Sequence, residues 1–188
     1  MSNHQPLRRA PATLAVLAAT VLAVTAAGCG GSTSAEAKWA GDVCSAVTTW
    51  KDKVQQAAGD VRTTLQSPKA GMRAAIEADL RTAVAATNTL ASDLKSLEPP
   101  NTDAGKHAKQ QLDALAAQLQ TTMQSAKQTL AGVPENAGAV ETTKALVPLA
   151  PSLQSLGAKT TSALDAVQAS GKALKDGFKS ADSCKPYR

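Results

Sequence analysis

From residue 39 onward, apolar residues recur every three or four positions, the repeat of an α-helix that buries one face. In the first segment this spacing predicts a helix of about 30 residues. Its apolar positions are Trp39, Val43, Val47, Trp50, Val54, Ala57, Val61 and Leu65. The pair Ser67-Pro68 indicates that this helix stops and another starts, with Ser67 as N-cap and Pro68 at the first helical position.

The second segment has the same repeat with one polar interruption, because Thr87 fills the single gap in an otherwise apolar face. The apolar positions are Met72, Ile76, Leu80, Val84, Leu90, Leu94 and Leu97. The helix is predicted to end at Glu98-Pro99-Pro100, since two consecutive prolines cannot continue it.

A third helix is predicted to begin after Asn101 or Thr102, either of which can cap it. Its inner face contains Leu112, Leu115, Leu119, Thr122 or Met123, Ala126 and Leu130. Gly132-Val133-Pro134 closes it.

The last segment is less regular, because Pro148 and Pro151 interrupt its apolar pattern. We expect a short helix near 136–147 and a longer one from about 150 to 180. The inner face of the longer helix reads Leu149, Leu153, Leu156, Thr160, Leu164, Val167, Gly171, Leu174 and Phe178. A glycine at position 171 of this face indicates a close helix approach, a local bend or a tolerated defect.

No strand-like alternation of period two extends beyond a few residues anywhere in 35–188. The predicted fold is therefore all-α. Four long segments joined by short breakers most simply form an up-down-up-down four-helix bundle with long helices, whose fourth segment is kinked at its prolines.

Residues 1–28 have the organisation of a secretory signal. Arg8 and Arg9 give a positively charged start, and residues 12–27 form an unbroken run of Ala, Val, Leu and Thr. That run is shorter than the roughly 20 residues that a membrane-spanning helix needs. We therefore expect residues 1–28 to be removed after export.

Cys29 directly follows this segment, and Ala26-Ala27-Gly28-Cys29 resembles the lipobox of bacterial prolipoproteins, although that family prefers Leu where this chain has Ala26. The resemblance implies that Cys29 receives a diacylglyceryl group and becomes the new N-terminus. Several acyl chains would then retain the protein stably at a membrane. Ordinary secretion with a free Cys29 is the alternative. Residues 29–34 are rich in Gly and Ser and are expected to be a flexible tether, which leaves 35–188 as the folded domain.

With Cys29 lipidated, Cys44 and Cys184 remain, and an even number of cysteines in an oxidising compartment indicates a disulfide. Cys44 lies near the start of the first helix and Cys184 just past the end of the last. In an up-down-up-down bundle these two ends lie at the same pole, so the pair can meet. A redox-active or metal-binding pair is disfavoured, because neither Cys-x-x-Cys spacing nor a neighbouring histidine accompanies them.

The stretch from Trp39 through Cys44 to Trp50 resembles the start of small secreted lipoproteins of actinobacteria, in which a Trp, a Cys and a second aromatic residue open a helical domain closed by a late Cys. The resemblance covers roughly residues 36–188. It implies an all-α extracytoplasmic domain and no known activity, so it assigns no catalytic or ligand-binding residue. Helical spacing by itself indicates that Trp39 and Trp50 are core anchors.

Charge argues against a nucleic-acid partner. The formal net charge of +5 falls to +3 when Arg8 and Arg9 are removed with residues 1–28. Basic and acidic residues are interleaved, as in Lys51-Asp52-Lys53, and no basic run with aromatic residues occurs.

The sequence contains no recognisable catalytic, metal or cofactor motif. His107 is the single histidine after residue 28, and we expect it on a solvated helix face because no Gly-x-Ser-x-Gly turn accompanies it. Glu77 and Asp79 are two positions apart and point in different directions on a helix, so they do not form an acid/base pair locally. We therefore expect no catalytic residue, no metal, no cofactor and no enzyme activity.

Three function classes follow. The first is an interaction or structural module, anchored on the extracytoplasmic face of the cell membrane and presenting helices to an envelope protein. The second is a small-ligand carrier or sensor, with a pocket between Ala-rich helices or at the Pro148–Pro151 break. The third is an envelope enzyme built from scattered polar residues. Because the sequence contains no recognisable catalytic motif, we favour the interaction or structural module.

Overall fold

A computed structural model of the protein describes residues 34–188, and within that range the chain is all-helical with no strand. The all-α prediction is confirmed. Six helices pack against one another and a short 3₁₀ turn ends the chain. Their bounds are α1 Ala35–Gln66, α2 Met72–Ser96, α3 Asp103–Ala131, α4 Ala139–Leu146, α5 Leu149–Ala169, α6 Lys172–Ser180 and the 3₁₀ turn Asp182–Tyr187. The predicted signal segment 1–28, and Cys29 with most of the tether, lie outside the described residues.

Two helices begin at side-chain caps. The Ser34 hydroxyl accepts a hydrogen bond from the Ala37 backbone N–H at 3.1 Å, and α1 starts at the next residue. Of the two predicted caps for α3, Thr102 is the one used, because its hydroxyl accepts from the Gly105 N–H at 3.0 Å. These bonds satisfy backbone donors that have no partner inside the helix.

The predicted start of the second helix at Ser67-Pro68 is wrong. Ser67 lies at the end of α1, and α2 begins only at Met72, after a turn that passes through Gly71. Gly71 has φ 80°, a left-handed backbone conformation that glycine adopts without steric cost. The turn therefore depends on this glycine.

The helices surround one apolar core. α1 packs against α2, α2 against α3 and α3 against α5, while α5, α6 and the 3₁₀ turn all pack back onto α1. The short α4 contacts α2 and α3. The largest fully buried side chains come from α2, α3 and the last three helices, and they include Ile76, Leu90, Leu112, Leu119, Leu156 and Phe178.

The predicted long helix over 150–180 is wrong in one respect, because it consists of α5 and α6 with a break at Ser170–Gly171. A Cβ on Gly171 would lie 3.0 Å from the Cβ of Ala104 on α3, so the close approach applies, and the helix break at the same position means that the local bend applies as well. Pro148 immediately precedes α5 and Pro151 lies in its first turn, where a missing N–H removes no helical hydrogen bond.

Thr87, the polar gap in the second helical face, is buried and fully hydrogen-bonded. Its hydroxyl accepts from the indole Nε1 of Trp50 at 3.0 Å and donates to the Ala83 carbonyl at 2.9 Å. The hydrogen bond holds the Trp50 side chain across the α1–α2 interface. It also explains why a threonine is tolerated at the buried position 87.

We predict that Thr87→Val lowers the free energy of unfolding by about 1–3 kcal/mol, because valine keeps the shape but leaves the Trp50 N–H buried without an acceptor. Chemical denaturation of the full chain measures the change. The matched control is Thr160→Val, since Thr160 is equally buried but only donates to the Leu156 carbonyl of its own helix. Equal losses in the two variants would contradict the role assigned to the Trp50–Thr87 bond.

Candidate functional site

The structure brings Cys44 and Cys184 together. Their sulfur atoms lie 2.03 Å apart, the distance of a disulfide, and their Cα atoms 5.1 Å apart. The bond joins α1 to the 3₁₀ turn, and both residues are buried. Hydrogen bonds extend the contact, because the Ser183 hydroxyl donates to the Gly41 carbonyl at 2.8 Å and the hydroxyls of Thr48 and Tyr187 lie 3.1 Å apart.

His107 is exposed on α3, as predicted, and it does not form a nucleophile–base–acid arrangement. Its Nδ1 lies 3.5 Å from the Ser170 hydroxyl, which is long for a hydrogen bond to oxygen. That hydroxyl donates instead to the Ala166 carbonyl at 3.1 Å. A serine whose proton already faces a carbonyl is not activated by this histidine.

The two carboxylates of α2 are in separate environments. Glu77 lies within 3.2 Å of Arg81 and 3.7 Å of Arg73. Burial, and secondly the nearby charge of Asp60, raise the pKa of Asp79 above its ordinary value. Glu77 is paired with arginines, whereas Asp79 senses the charge of Asp60 on α1, so the structure does not pair the two carboxylates with each other.

We predict that Asp79→Asn raises the free energy of unfolding near neutral pH by up to about 0.5 kcal/mol, a small effect because the carboxylate is largely solvated. A folded-state pKa above the unfolded value of 3.8 means that ionisation disfavours the fold at higher pH. The gain should therefore vanish well below that pKa, where both states are protonated. Thermal unfolding against pH measures it, with Asp165→Asn on α5 as control; an equal gain in the control, or a gain that persists in acid, would contradict the assignment.

A groove of about 300 Å³ lies between α1 and the first half of α5, a few residues after Pro148 and Pro151. Its floor is apolar and is formed by Trp50, Val54, Ala58 and Leu153. The volume is at the lower end of the range for small-ligand pockets, about 300–1,000 Å³.

The rim of this groove is polar, and its charges share one sign. Lys51 and Arg62 on α1 supply two cations, and Gln55 and Gln154 supply amides. Among the described residues that line the groove none is acidic. Lys51 Nζ also lies 5.6 Å from the centre of the Tyr187 ring, a cation–π distance.

Sequence reasoning missed these rim residues. The sequence presents Lys51 only as one of several interleaved charges, and it predicts a pocket between Ala-rich helices or at Pro148–Pro151 without naming its rim. The usable signal is that Lys51, Gln55 and Arg62 share one face of a helix, next to a glycine at 59.

Two other features bear on function. Within residues 34–188 there is no group of three or more His, Cys, Asp or Glu that could hold a metal ion. None of the helices in that range is both long and apolar enough to cross a membrane.

Comparison of the chain with protein-family models, with curated proteins and with solved structures found no match.

Proposed function

We propose that this protein is an exported bacterial lipoprotein, held on the extracytoplasmic face of the cell membrane by lipid on Cys29 after residues 1–28 are removed. The charged start, apolar run and small residues of 1–28 support export, and the lipobox-like Ala26-Ala27-Gly28-Cys29 supports lipidation. The Ser34 cap starts α1 shortly after Cys29, which is consistent with a short tether between lipid and domain.

The observation that carries this proposal in the folded domain is the Cys44–Cys184 pair. Its sulfur atoms are at disulfide distance, and structural disulfides persist in oxidising compartments but are rare where thiols are kept reduced. A disulfide between Cys44 and Cys184 would therefore persist in an exported protein, whereas the cytosol would keep the two thiols reduced.

For the architecture we propose the up-down-up-down four-helix bundle, with α4, α5 and α6 together forming its fourth leg and a kink at Pro148–Pro151. The packing order supports it, because each of α1, α2 and α3 contacts the next leg and the last leg returns to α1. The meeting of Cys44 near one chain end with Cys184 near the other also supports it.

For the activity we propose a non-enzymatic interaction or structural module that contacts an envelope protein. His107, the one histidine among the described residues, is exposed, and its Nδ1 lies 3.5 Å from the Ser170 hydroxyl. Glu77 is paired with Arg81, whereas the pKa of Asp79 is raised by burial and by Asp60. Several basic side chains form ion pairs with carboxylates on their own helix, as in Lys38–Asp42 and Lys109–Asp113, which does not favour nucleic acid.

A second candidate function is small-ligand binding, and a specific observation favours it. The groove between α1 and α5 combines an apolar floor with a few converging polar groups, the usual composition of a ligand site. A tethered domain with such a groove would act as a carrier or sensor at the membrane surface.

Intact-mass measurement of the full chain extracted in mild detergent from a bacterial host tests the main proposal. We expect the mass of a chain that begins at an acylated Cys29, and a gain of two hydrogens on reduction of the remaining pair. Cys29→Ser should abolish the acyl mass, whereas Cys44→Ser should leave it unchanged. An unacylated wild-type chain would overturn the lipoprotein proposal. Under native conditions, a bound small molecule would favour the carrier, and its absence the interaction module.

A further inference from the structure

The groove between α1 and α5 has a regular construction along α1. Lys51 and Arg62 are eleven residues apart, so they lie on nearly the same side of the helix and about 16 Å apart along its axis. Val54 and Ala58 lie between them on the floor. The groove is therefore an elongated apolar channel with a cation at each end.

Two glycines line this channel. Gly59 on α1 and Gly157 on α5 both line the groove, and a Cβ added to either would meet no heavy atom within 4 Å. Glycine inside a helix lowers its stability relative to alanine. By contrast, Gly105 and Gly177 are required because a Cβ there would overlap neighbouring backbone. Packing of the described residues does not explain Gly59 or Gly157, whereas a ligand lying in the channel would.

The charge of the groove distinguishes it from four other depressions on residues 34–188. Each of those four carries both signs, for example Lys95 with Asp113 and Lys53 with Asp93. Within the described range neither Lys51 nor Arg62 forms an ion pair. An anion placed in the groove would therefore meet unneutralised cations and no carboxylate.

One residue of the floor, Trp50, is held in place by a hydrogen bond. Its bond to Thr87 fixes the ring before any ligand arrives. A preformed apolar surface binds an aliphatic chain with little loss of protein conformational freedom.

We propose that this groove binds a single-chain amphipathic anion, an aliphatic carboxylate of the fatty-acid class, with the chain along the floor and the carboxylate at Lys51 or Arg62. The inference rests on the second candidate function, ligand binding, and does not depend on lipidation of Cys29. Guanidinium and ammonium groups are the ordinary partners of a carboxylate, and the apolar channel between them suits a chain with no further polar group.

Trp50 provides the test. The full chain, processed by its bacterial host and placed in zwitterionic lipid nanodiscs, is titrated with a medium-chain fatty carboxylate that carries bromine at the middle of its chain, where it quenches nearby indole fluorescence whichever cation holds the carboxylate. A Trp39→Phe background leaves Trp50 as the only indole, and Trp39 Nε1 has no hydrogen-bond partner among the described residues to lose. The bromoalcohol and the bromoalkyl trimethylammonium of equal length are the uncharged and cationic probes.

We expect saturable quenching by the carboxylate at concentrations where the alcohol and the cation do not saturate. Lys51→Gln with Arg62→Gln should weaken binding roughly tenfold or more, whereas Lys106→Gln with Lys144→Gln, outside the groove, should leave it unchanged. Gly59→Ala with Gly157→Ala should weaken binding about tenfold while raising the thermal midpoint of the free protein. Gly41→Ala on α1 is the control for a glycine replaced elsewhere.

Equal quenching by the three probes, or by the groove variants and wild type, would overturn the inference, because it would indicate partition into the nanodisc. A different molecule that copurifies with the chain, combined with no carboxylate binding, would overturn the ligand class while leaving ligand binding as the function. Carboxylate binding by a chain without acyl mass would support the groove and overturn the lipoprotein proposal instead.

Discussion

Replacing Cys44 and Cys184 together by alanine is expected to lower the free energy of unfolding by about 4–5 kcal/mol. The bond closes a loop with a sequence separation of 140 residues, and removing so long a loop constraint gives the unfolded chain more conformational freedom. Both cysteines are buried, so alanine avoids placing a new polar group in the core. Denaturant unfolding of the full chain, followed by circular dichroism, measures the difference.

Reduction provides the internal control for this prediction. Wild-type protein unfolded in the presence of a reductant should match the double alanine variant, and the variant itself should not respond to the reductant. A variant as stable as the oxidised wild type would mean that contacts such as Ser183–Gly41 and Thr48–Tyr187 hold the chain end without the bond.

The parts of the fold that follow local rules could be predicted from the sequence. The repeat from Trp39 to Val61 matches the buried face of α1, and Thr102 caps α3 because a threonine hydroxyl reaches the N–H three residues on. The sequence also places Val84 on the inner face of α2, where it is half-buried and packs against the core beside the fully buried Ala83.

Features that depend on contacts between distant segments could not be predicted in the same way. The break at Gly171 lies where the chain passes close to Ala104 on α3, and no local pattern in the sequence reports that neighbour. Ser67-Pro68 has the local signature of a helix start, yet the chain requires several more residues of turn before α2 can pack against α1.

The candidate site shows the same limit. Lys51 and Arg62 come from α1, whereas Gln154 and Gly157 come from α5 about a hundred residues later, and only the packing of the two helices places them on one groove. In the sequence alone each is an ordinary residue of a solvated helix face. The disulfide was predictable because cysteine pairs carry their own chemistry, and because the bundle predicted from the sequence would place Cys44 and Cys184 at the same pole.

Gly177→Ala is expected to lower the free energy of unfolding by about 3 kcal/mol, because it forces apart two backbones that touch. A Cβ on Gly177 of α6 would lie 2.8 Å from the carbonyl carbon of Glu36 and 3.0 Å from the backbone nitrogen of Ala37 on α1. Neither helix can withdraw easily. The start of α1 is fixed by its Ser34 cap, and α6 is held by Phe178, whose ring packs edge-on against Trp39 with centroids 6.3 Å apart.

Gly41→Ala on α1 is the matched control. It makes the same chemical change near the start of α1, where Gly177 also packs, but it is expected to raise the free energy of unfolding. Its new Cβ would meet the Ser183 hydroxyl oxygen at 3.6 Å and the Ala181 Cβ at 3.7 Å, which are ordinary contacts. Alanine should then raise the free energy of unfolding by up to about 1 kcal/mol through helix propensity alone. If both variants were stabilised, α6 would not approach α1 closely, and the position of the Cys184 turn that follows α6 would need another explanation.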